Sequence, residues 1–115
     1  MIRHANECAK EQRENMRGGD GVISMTKLVT IEELCGKGRL FSRGTINPGC
    51  SIGYHVHEND SEIYYILSGK AVYSDNGTEV EVSAGDVTVC PEGTGHGIKN
   101  NSDEPVDFIA LIVYA

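Results

Sequence analysis

The chain has 115 residues, enough for one domain that buries about two-thirds of its unfolded surface. Its 14 glycines, without a collagen-like repeat, favour an all-β protein rich in tight turns over a helical bundle. The formal charge of −7 leaves no basic surface for nucleic acid or for an anionic membrane, and no segment has the ~20 apolar residues of a membrane span.

The first 21 residues differ in composition from the rest of the chain. Residues 5–17 are polar, and their apolar residues are too sparse for an amphipathic stripe, so a short surface helix or an arm is expected. A glycine-rich break at 18–21 follows. We therefore divide the chain into a polar N-terminal arm, 1–21, and a domain, 22–115.

Within the domain, short runs of β-branched and aromatic residues predict strands at roughly even spacing. The predicted strands cover residues 22–29, 39–46, 51–57, 62–67, 71–74, 78–82, 86–90, 97–100 and 106–114. Residues 30–33 match a capping box for a single helical turn. Asn76-Gly77 is the strongest hairpin signal in the chain. Strands do not alternate with helices, so a parallel α/β fold is not expected.

Three histidines and one glutamate are candidate metal ligands. His55 and His57 stand two residues apart in a predicted strand, so both project from one face. Glu62 begins the next predicted strand, where antiparallel pairing with the first would bring its carboxylate to that face. His96 follows a turn, and its side chain comes within reach of the other three candidate ligands if the sheet closes on itself. This donor set suits Mn, Fe, Co, Ni, Cu or Zn, although a His-x-His pair alone is also typical of surface or core histidines.

Ten positions at fixed spacing resemble the two sequence motifs of the cupin superfamily. The first motif, G(X)5HXH(X)4E(X)6G, is matched by Gly49, His55, His57, Glu62 and Gly69. The second, G(X)5PXG(X)2H(X)3N, is matched by Gly85, Pro91, Gly93, His96 and Asn100. The resemblance implies a double-stranded β-helix, or jelly-roll barrel, over residues 22–115. It also implies a divalent metal held by His55, His57, Glu62 and His96.

A divalent ion with three neutral imidazoles and one carboxylate has a net charge of about +1, which favours an anionic oxygen ligand such as a small organic acid. The resemblance implies a lyase or decarboxylase, an isomerase or a dioxygenase, and leaves the reaction open. Oxalate-active cupins normally have an arginine three residues before the first motif histidine, and Ile52 stands there. The nearest basic residues in the sequence, Arg39 and Arg43, lie on the preceding predicted strand, and the sequence leaves open whether their side chains point into the barrel or outward. The alternative function is a non-catalytic module that binds or senses a metal or a small ligand.

Tyr64 is the candidate catalytic residue, because it lies two residues after Glu62 and shares its inward face. The other interpretation of Tyr64 is a core aromatic residue with a hydrogen-bonded hydroxyl. Asn100 is expected to satisfy backbone groups. Cys50 and Cys90 adjoin motif positions but are expected to pack as small apolar residues.

Location and assembly follow from more general features. The N-terminus has no apolar leader, so a cytoplasmic location is expected, with all four cysteines free. An exposed edge strand must be covered, so we expect a homodimer in which the arm and strand 22–29 lie on a partner's sheet.

Overall fold

A computed structural model describes residues 1–115 as two antiparallel sheets, as the sequence predicts for a jelly-roll barrel. The ten strands are β1 (Lys10–Glu14), β2 (Val22–Lys27), β3 (Gly38–Ile46), β4 (Ser51–Val56), β5 (Asp60–Ser68), β6 (Lys70–Asp75), β7 (Thr78–Ser83), β8 (Val87–Cys90), β9 (Gly95–Lys99) and β10 (Val106–Tyr114). Short 3-10 helices cover Ala5–Glu7, Met16–Gly18 and Glu32–Leu34. None of these three helices has the length or hydropathy of a membrane-crossing helix.

The six-stranded sheet has the order β1-β2-β3-β10-β5-β8, and the four-stranded sheet has the order β4-β9-β6-β7. Residues from both sheets form a single core, with Ile23, Ile46 and Phe108 from the first sheet and Tyr73 and Ile98 from the second. Burying such a side chain contributes about 1.5–3 kcal/mol. The apolar contacts between the sheets therefore stabilise the barrel and hold its two walls at a fixed distance.

The local predictions for the domain are confirmed. Each of the nine predicted strands is present, with ends that differ by one to two residues in most cases. Asn76 and Gly77 have φ values of 50° and 98°, as a two-residue type I′ hairpin between β6 and β7 requires. The Thr30 amide donates to a Glu33 carboxylate oxygen at 2.8 Å, and the Glu33 amide donates to the Thr30 hydroxyl at 3.3 Å, which completes the capping box.

The N-terminal segment contains a strand where the sequence predicts a helix or an arm. β1 pairs antiparallel with β2, from Lys10 opposite Thr26 to Glu14 opposite Val22. The side chains of β1 have weak strand propensity, but its backbone groups pair with the open edge of β2, and this tertiary pairing outweighs the propensity. Because β1 covers β2 within the same chain, strand 22–29 is not free to lie on a partner's sheet.

After β1 the chain crosses to the four-stranded sheet. The Ser51 amide donates to the Asp20 carbonyl at 2.9 Å, and the Asp20 amide donates to the Ser51 hydroxyl at 2.8 Å. The backbones approach so closely that a Cβ atom at Gly53 would collide with the Arg17 carbonyl. The segment 1–21 therefore joins the edges of both sheets at one end of the barrel.

Candidate metal centre

The three candidate histidines come from the four-stranded sheet. His55 on β4 lies directly opposite His96 on β9 in the strand register. His57 lies one residue beyond the end of β4, where its amide donates to the Thr94 carbonyl at 3.0 Å and its carbonyl accepts from the Gly93 amide at 2.8 Å. These backbone hydrogen bonds extend the pairing past the end of the strand and keep His57 on the inward face with His55.

Glu62 comes from the opposite sheet, so the predicted pairing of its strand with the strand of His55 and His57 is wrong, although Glu62 joins the cluster as predicted. β5 follows β4 in the chain, but the two strands belong to different sheets and do not pair. The connection passes through Asn59, whose φ of 65° allows the sharp turn between the sheets. β5 then alternates so that Asp60, Glu62 and Tyr64 are buried on its inner face. The carboxylate reaches the histidines across the barrel interior instead of along a shared sheet.

The four side chains converge on one point. The Nε2 atom of His96 lies 3.2 Å from that of His55, 3.2 Å from that of His57 and 3.0 Å from Oε1 of Glu62. The Glu62 oxygen lies 3.1 Å from Nε2 of His57 and 3.8 Å from Nε2 of His55. Ligands at right angles around one ion, with bonds of about 2.1 Å, are about 3.0 Å apart. The spacing and the donor chemistry both fit a divalent transition metal.

Two of the histidines are oriented by acceptors on their other ring nitrogen. The Nδ1 of His55 donates to the Gly53 carbonyl at 2.8 Å, and the Nδ1 of His57 donates to Oδ1 of Asp60 at 2.7 Å. The other oxygen of Asp60 accepts from Nε of Arg39 at 2.8 Å. With a proton on Nδ1, each ring turns its Nε2 atom toward the common point.

His96 is oriented by a tyrosine. Its Nδ1 lies 2.8 Å from the hydroxyl oxygen of Tyr73, and the His96 side chain is fully buried. Burial raises the pKa of Tyr73 to about 12, so the phenol keeps its proton at neutral pH. When His96 turns its Nε2 lone pair to the cluster, its Nδ1 carries the proton and donates to the Tyr73 oxygen, and this contact holds the angle of the ring.

The electrostatics of the cluster keep the Glu62 carboxylate ionised and favour the neutral form of the His96 ring. Burial raises the pKa of Glu62, but hydrogen bonds to the surrounding histidines outweigh it and hold the pKa well below its usual range. Burial lowers the pKa of His96. The hydrogen bond to Glu62 raises the pKa of His57 against the effect of burial. A buried carboxylate that stays ionised next to three ring nitrogens is a donor set suited to a cation.

Tyr64 lies beside the cluster and is not part of it. Its ring stacks on the His96 ring, with the centroids 5.0 Å apart and the planes at 24°, and it meets the Phe108 ring edge-on at 4.9 Å. Burial raises the pKa of Tyr64 well above its ordinary value. Tyr64 also lines the cavity next to the cluster, so at neutral pH it could donate a hydrogen bond to a ligand there.

The cluster forms one wall of a cavity of about 630 Å³. His55, His57 and Glu62 line this cavity, whereas His96 lies behind them. Ile52, at the position where oxalate-active cupins normally carry an arginine, is buried and contributes to the apolar wall. Arg39 also lines the cavity and is linked to His57 through Asp60.

The remaining motif residues have structural roles. The Asn100 side-chain amide donates to the carbonyls of Ile46 at 2.9 Å and Glu104 at 2.7 Å, as predicted. Cys50 packs against the core, Cys90 is buried, and all four cysteines are free. Arg43 lies outside the cavity and pairs with Asp107 at 2.9 Å.

Sequence reasoning missed the residues that orient the histidines. Asp60 stands two residues before Glu62, so the same alternation that places Tyr64 inward would also have identified Asp60. The role of Tyr73 depends on the pairing of β6 with β9, a register that links residues more than twenty positions apart. No local pattern contains that information.

Two facing antiparallel sheets with a cluster of three histidines and one glutamate between them define a barrel of the cupin type. A family model described as "Cupin domain" matches residues 42–114, and the chain belongs to this family.

One relative and one solved structure are similar to this chain over nearly its whole length, and a third protein is similar over a part of it. An oxalate-binding protein of Thermotoga maritima is 42% identical over 113 residues, which cover 98% of this chain and 93% of that protein. A crystal structure described as a predicted oxalate decarboxylase from Thermotoga maritima superimposes with a TM-score of 0.95 at 41% identity, covering 100% of both chains. The oxalate decarboxylase of Bacillus subtilis is 36% identical over 72 residues, which are 58% of this chain and only 19% of that protein.

Proposed function

We propose that this protein binds a divalent transition metal, one of Mn, Fe, Co, Ni, Cu or Zn, through His55, His57, Glu62 and His96, and that it acts on a small organic acid. The observation that carries the proposal is the convergence of three Nε2 atoms and one carboxylate oxygen, all within 4.8 Å of one another, on the wall of a cavity. The oxalate-related names of the relatives support a carboxylate as the ligand.

The ion would supply Lewis acidity toward a carboxylate or enolate oxygen. The residues of this chain would orient the metal ligands, line the ligand cavity and donate a hydrogen bond to the ligand. Asp60 and Tyr73 hold the ligand rings in orientation, and the apolar wall around Ile52 excludes water, which strengthens electrostatic interactions with an anion. Tyr64 is the proposed catalytic residue and would donate a hydrogen bond to a developing negative charge, because its raised pKa keeps the phenol protonated.

The test is elemental analysis of the purified, metal-supplemented protein. We expect about one equivalent of metal per chain in the wild type and a loss of most of it in His55→Ala and His96→Ala. His4→Ala is the matched control, because His4 lies in the exposed N-terminal segment and should leave the metal content unchanged. No bound metal in the supplemented wild type would refute the proposal.

A second candidate function is binding without turnover, which the name of the oxalate-binding relative favours. Metal-loaded protein incubated with carbon-13-labelled oxalate or pyruvate separates the two candidates. New carbon resonances that require His96 support an enzyme, whereas binding with no product supports a carrier or sensor module.

We also propose a homodimer in the cytoplasm. Tyr65, Val87 and Val89 are half-exposed apolar residues on the outer face of β5 and β8, and such a patch is typical of an interaction surface. Four free cysteines support a reducing compartment.

A further inference from the structure

His96 differs from the other two histidines of the cluster in the group that faces its second ring nitrogen. The Nδ1 atoms of the other two face the Gly53 carbonyl and the Asp60 carboxylate, which can only accept a hydrogen bond. The Nδ1 atom of His96 lies 2.8 Å from the Tyr73 hydroxyl, which can either donate or accept. His96 is therefore the ring whose proton can lie on either nitrogen while the hydrogen bond at Nδ1 is kept.

The two tautomers of His96 suit two states of the protein. In the metal-free protein a proton on Nε2 is favoured, because this atom lies 3.0 Å from Oε1 of Glu62, an ionised carboxylate that accepts a hydrogen bond. The Nδ1 atom is then an acceptor, and the Tyr73 hydroxyl donates to it. Metal ligation requires the lone pair of Nε2, so in the loaded protein the proton lies on Nδ1 and Tyr73 accepts.

A buried threonine lies behind Tyr73. Thr88 is on the inner face of β8, opposite Tyr64 in the strand register, and is only 7% exposed. Its hydroxyl is the only buried side-chain oxygen or nitrogen in the chain that has no hydrogen-bond partner. Burial raises the pKa of Tyr73 to about 12 and the nearby Thr88 hydroxyl lowers it in part, so the two hydroxyls are close although they are not hydrogen-bonded here. An unpaired buried hydroxyl is unfavourable, so Thr88 is costly to the metal-free protein.

We propose that Thr88 is a positioning residue of the metal centre, and that its Oγ1 accepts the Tyr73 proton when His96 turns its Nε2 lone pair to a metal. Two hydrogen bonds then reverse together: Nδ1 of His96 donates to the Tyr73 oxygen, and the Tyr73 hydroxyl donates to Thr88. Tyr73 keeps its proton throughout, and the ring proton of His96 leaves Nε2 and returns at Nδ1 by exchange with solvent, so no proton is gained or lost. This inference rests on the proposed function, because it concerns the affinity of that metal site.

The test uses Thr88→Val, which replaces the hydroxyl by a methyl group of the same shape. The metal-free variant loses an unpaired buried hydroxyl, so its thermal unfolding temperature should equal or exceed that of the wild type. Its affinity for Zn²⁺, measured by competition with a chelator, should fall about 2- to 10-fold, the effect of one neutral hydrogen bond that exists only in the loaded protein. A lower unfolding temperature with unchanged Zn²⁺ affinity would show that Thr88 only packs, and would overturn the proposal.

Three further variants test whether the hydroxyl acts through Tyr73. Thr88→Ser keeps the hydroxyl and should restore the Zn²⁺ affinity that Thr88→Val loses. Thr78→Val makes the same change at an exposed position on β7 and is the matched control. Adding Thr88→Val to Tyr73→Phe should lower the affinity no further than Tyr73→Phe alone. An equal loss with and without Tyr73, or no recovery in Thr88→Ser, would overturn the proposal.

The reversal can also be observed in the wild type. Nitrogen-15 spectra of the histidine rings should show the His96 proton on Nε2 in the metal-free protein and on Nδ1 in the Zn²⁺-loaded protein. A proton on Nδ1 in both states would contradict the reversal and leave the metal site intact. If the wild type binds no metal, the proposed function fails together with this inference. If the wild type and Thr88→Val bind Zn²⁺ equally, only the inference fails.

Discussion

The Nδ1 atom of His57 lies 2.7 Å from Oδ1 of Asp60, and both side chains are buried. The second carboxylate oxygen of Asp60 accepts a hydrogen bond from Arg39. Burial raises the pKa of Asp60, but hydrogen bonds to Arg39 and His57 outweigh it and lower the pKa, so Asp60 stays ionised. An anionic acceptor makes the His57 ring a stronger donor to a cation on its opposite nitrogen.

Asp60→Asn should therefore weaken metal binding by about 10- to 100-fold, the usual cost of removing a carboxylate behind a ligand histidine. Competition with a chelator of known affinity measures the effect. Asp107→Asn is the matched control, because Asp107 is also paired with an arginine but lies away from the cluster. Equal metal affinity in Asp60→Asn and Asp107→Asn would show that Asp60 does not tune the site.

Tyr64→Phe removes a hydroxyl next to the cluster and keeps the ring that stacks on His96. If Tyr64 donates a hydrogen bond to the developing negative charge, turnover of the carboxylate identified by carbon-13 spectroscopy should fall by about 10²- to 10³-fold while the metal content stays at the wild-type value. Tyr65→Phe, which alters the exposed neighbouring residue, should have no effect. Unchanged turnover in Tyr64→Phe would leave Tyr64 with a packing role only.

The ion pair between Arg3 and Glu33 predicts a pH-dependent stability. The hydrogen bond from Arg3, together with the Thr30 amide, lowers the pKa of Glu33 to about 2. A lowered pKa means that the stabilisation is complete above the ordinary glutamate pKa of about 4.3 and is lost as the pH falls toward 2.

Glu33→Gln should accordingly lower the thermal unfolding temperature at pH 7, and this difference from the wild type should shrink below about pH 4. Differential scanning calorimetry over this pH range measures it. Glu92→Gln, at an exposed turn, serves as the control. A Glu33→Gln difference that is constant with pH would contradict the role of this ion pair in fastening the N-terminal segment.

The proposed dimer surface is tested by a charge on β8. Val89→Glu places a carboxylate in the apolar patch on the outer face of β5 and β8, and we expect the variant to be a monomer because burying an unpaired charge is unfavourable. Val80→Glu, an equally exposed valine on β7, should remain a dimer. Light scattering at micromolar concentration reports the mass, and a monomeric wild type would refute the dimer.

Local sequence patterns predicted most of the fold and the members of the cluster. The alternation of His55 and His57 determines their common face, and the Asn76-Gly77 turn determines its hairpin. Glu62 was identified, but its route to the histidines was not, because the choice of sheet for β5 depends on long-range pairing with β10. The strand Lys10–Glu14 was missed for the same reason, since its partner β2 decides its conformation and its own side chains do not.

The most direct test of the central claim is an anomalous difference map from a crystal of the Ni²⁺-loaded protein, recorded at the nickel absorption edge. The account predicts one strong peak per chain, about 2.1 Å from Nε2 of His55, His57 and His96 and from a carboxylate oxygen of Glu62. The absence of a peak at this position, or a peak bound by other residues, would contradict the account.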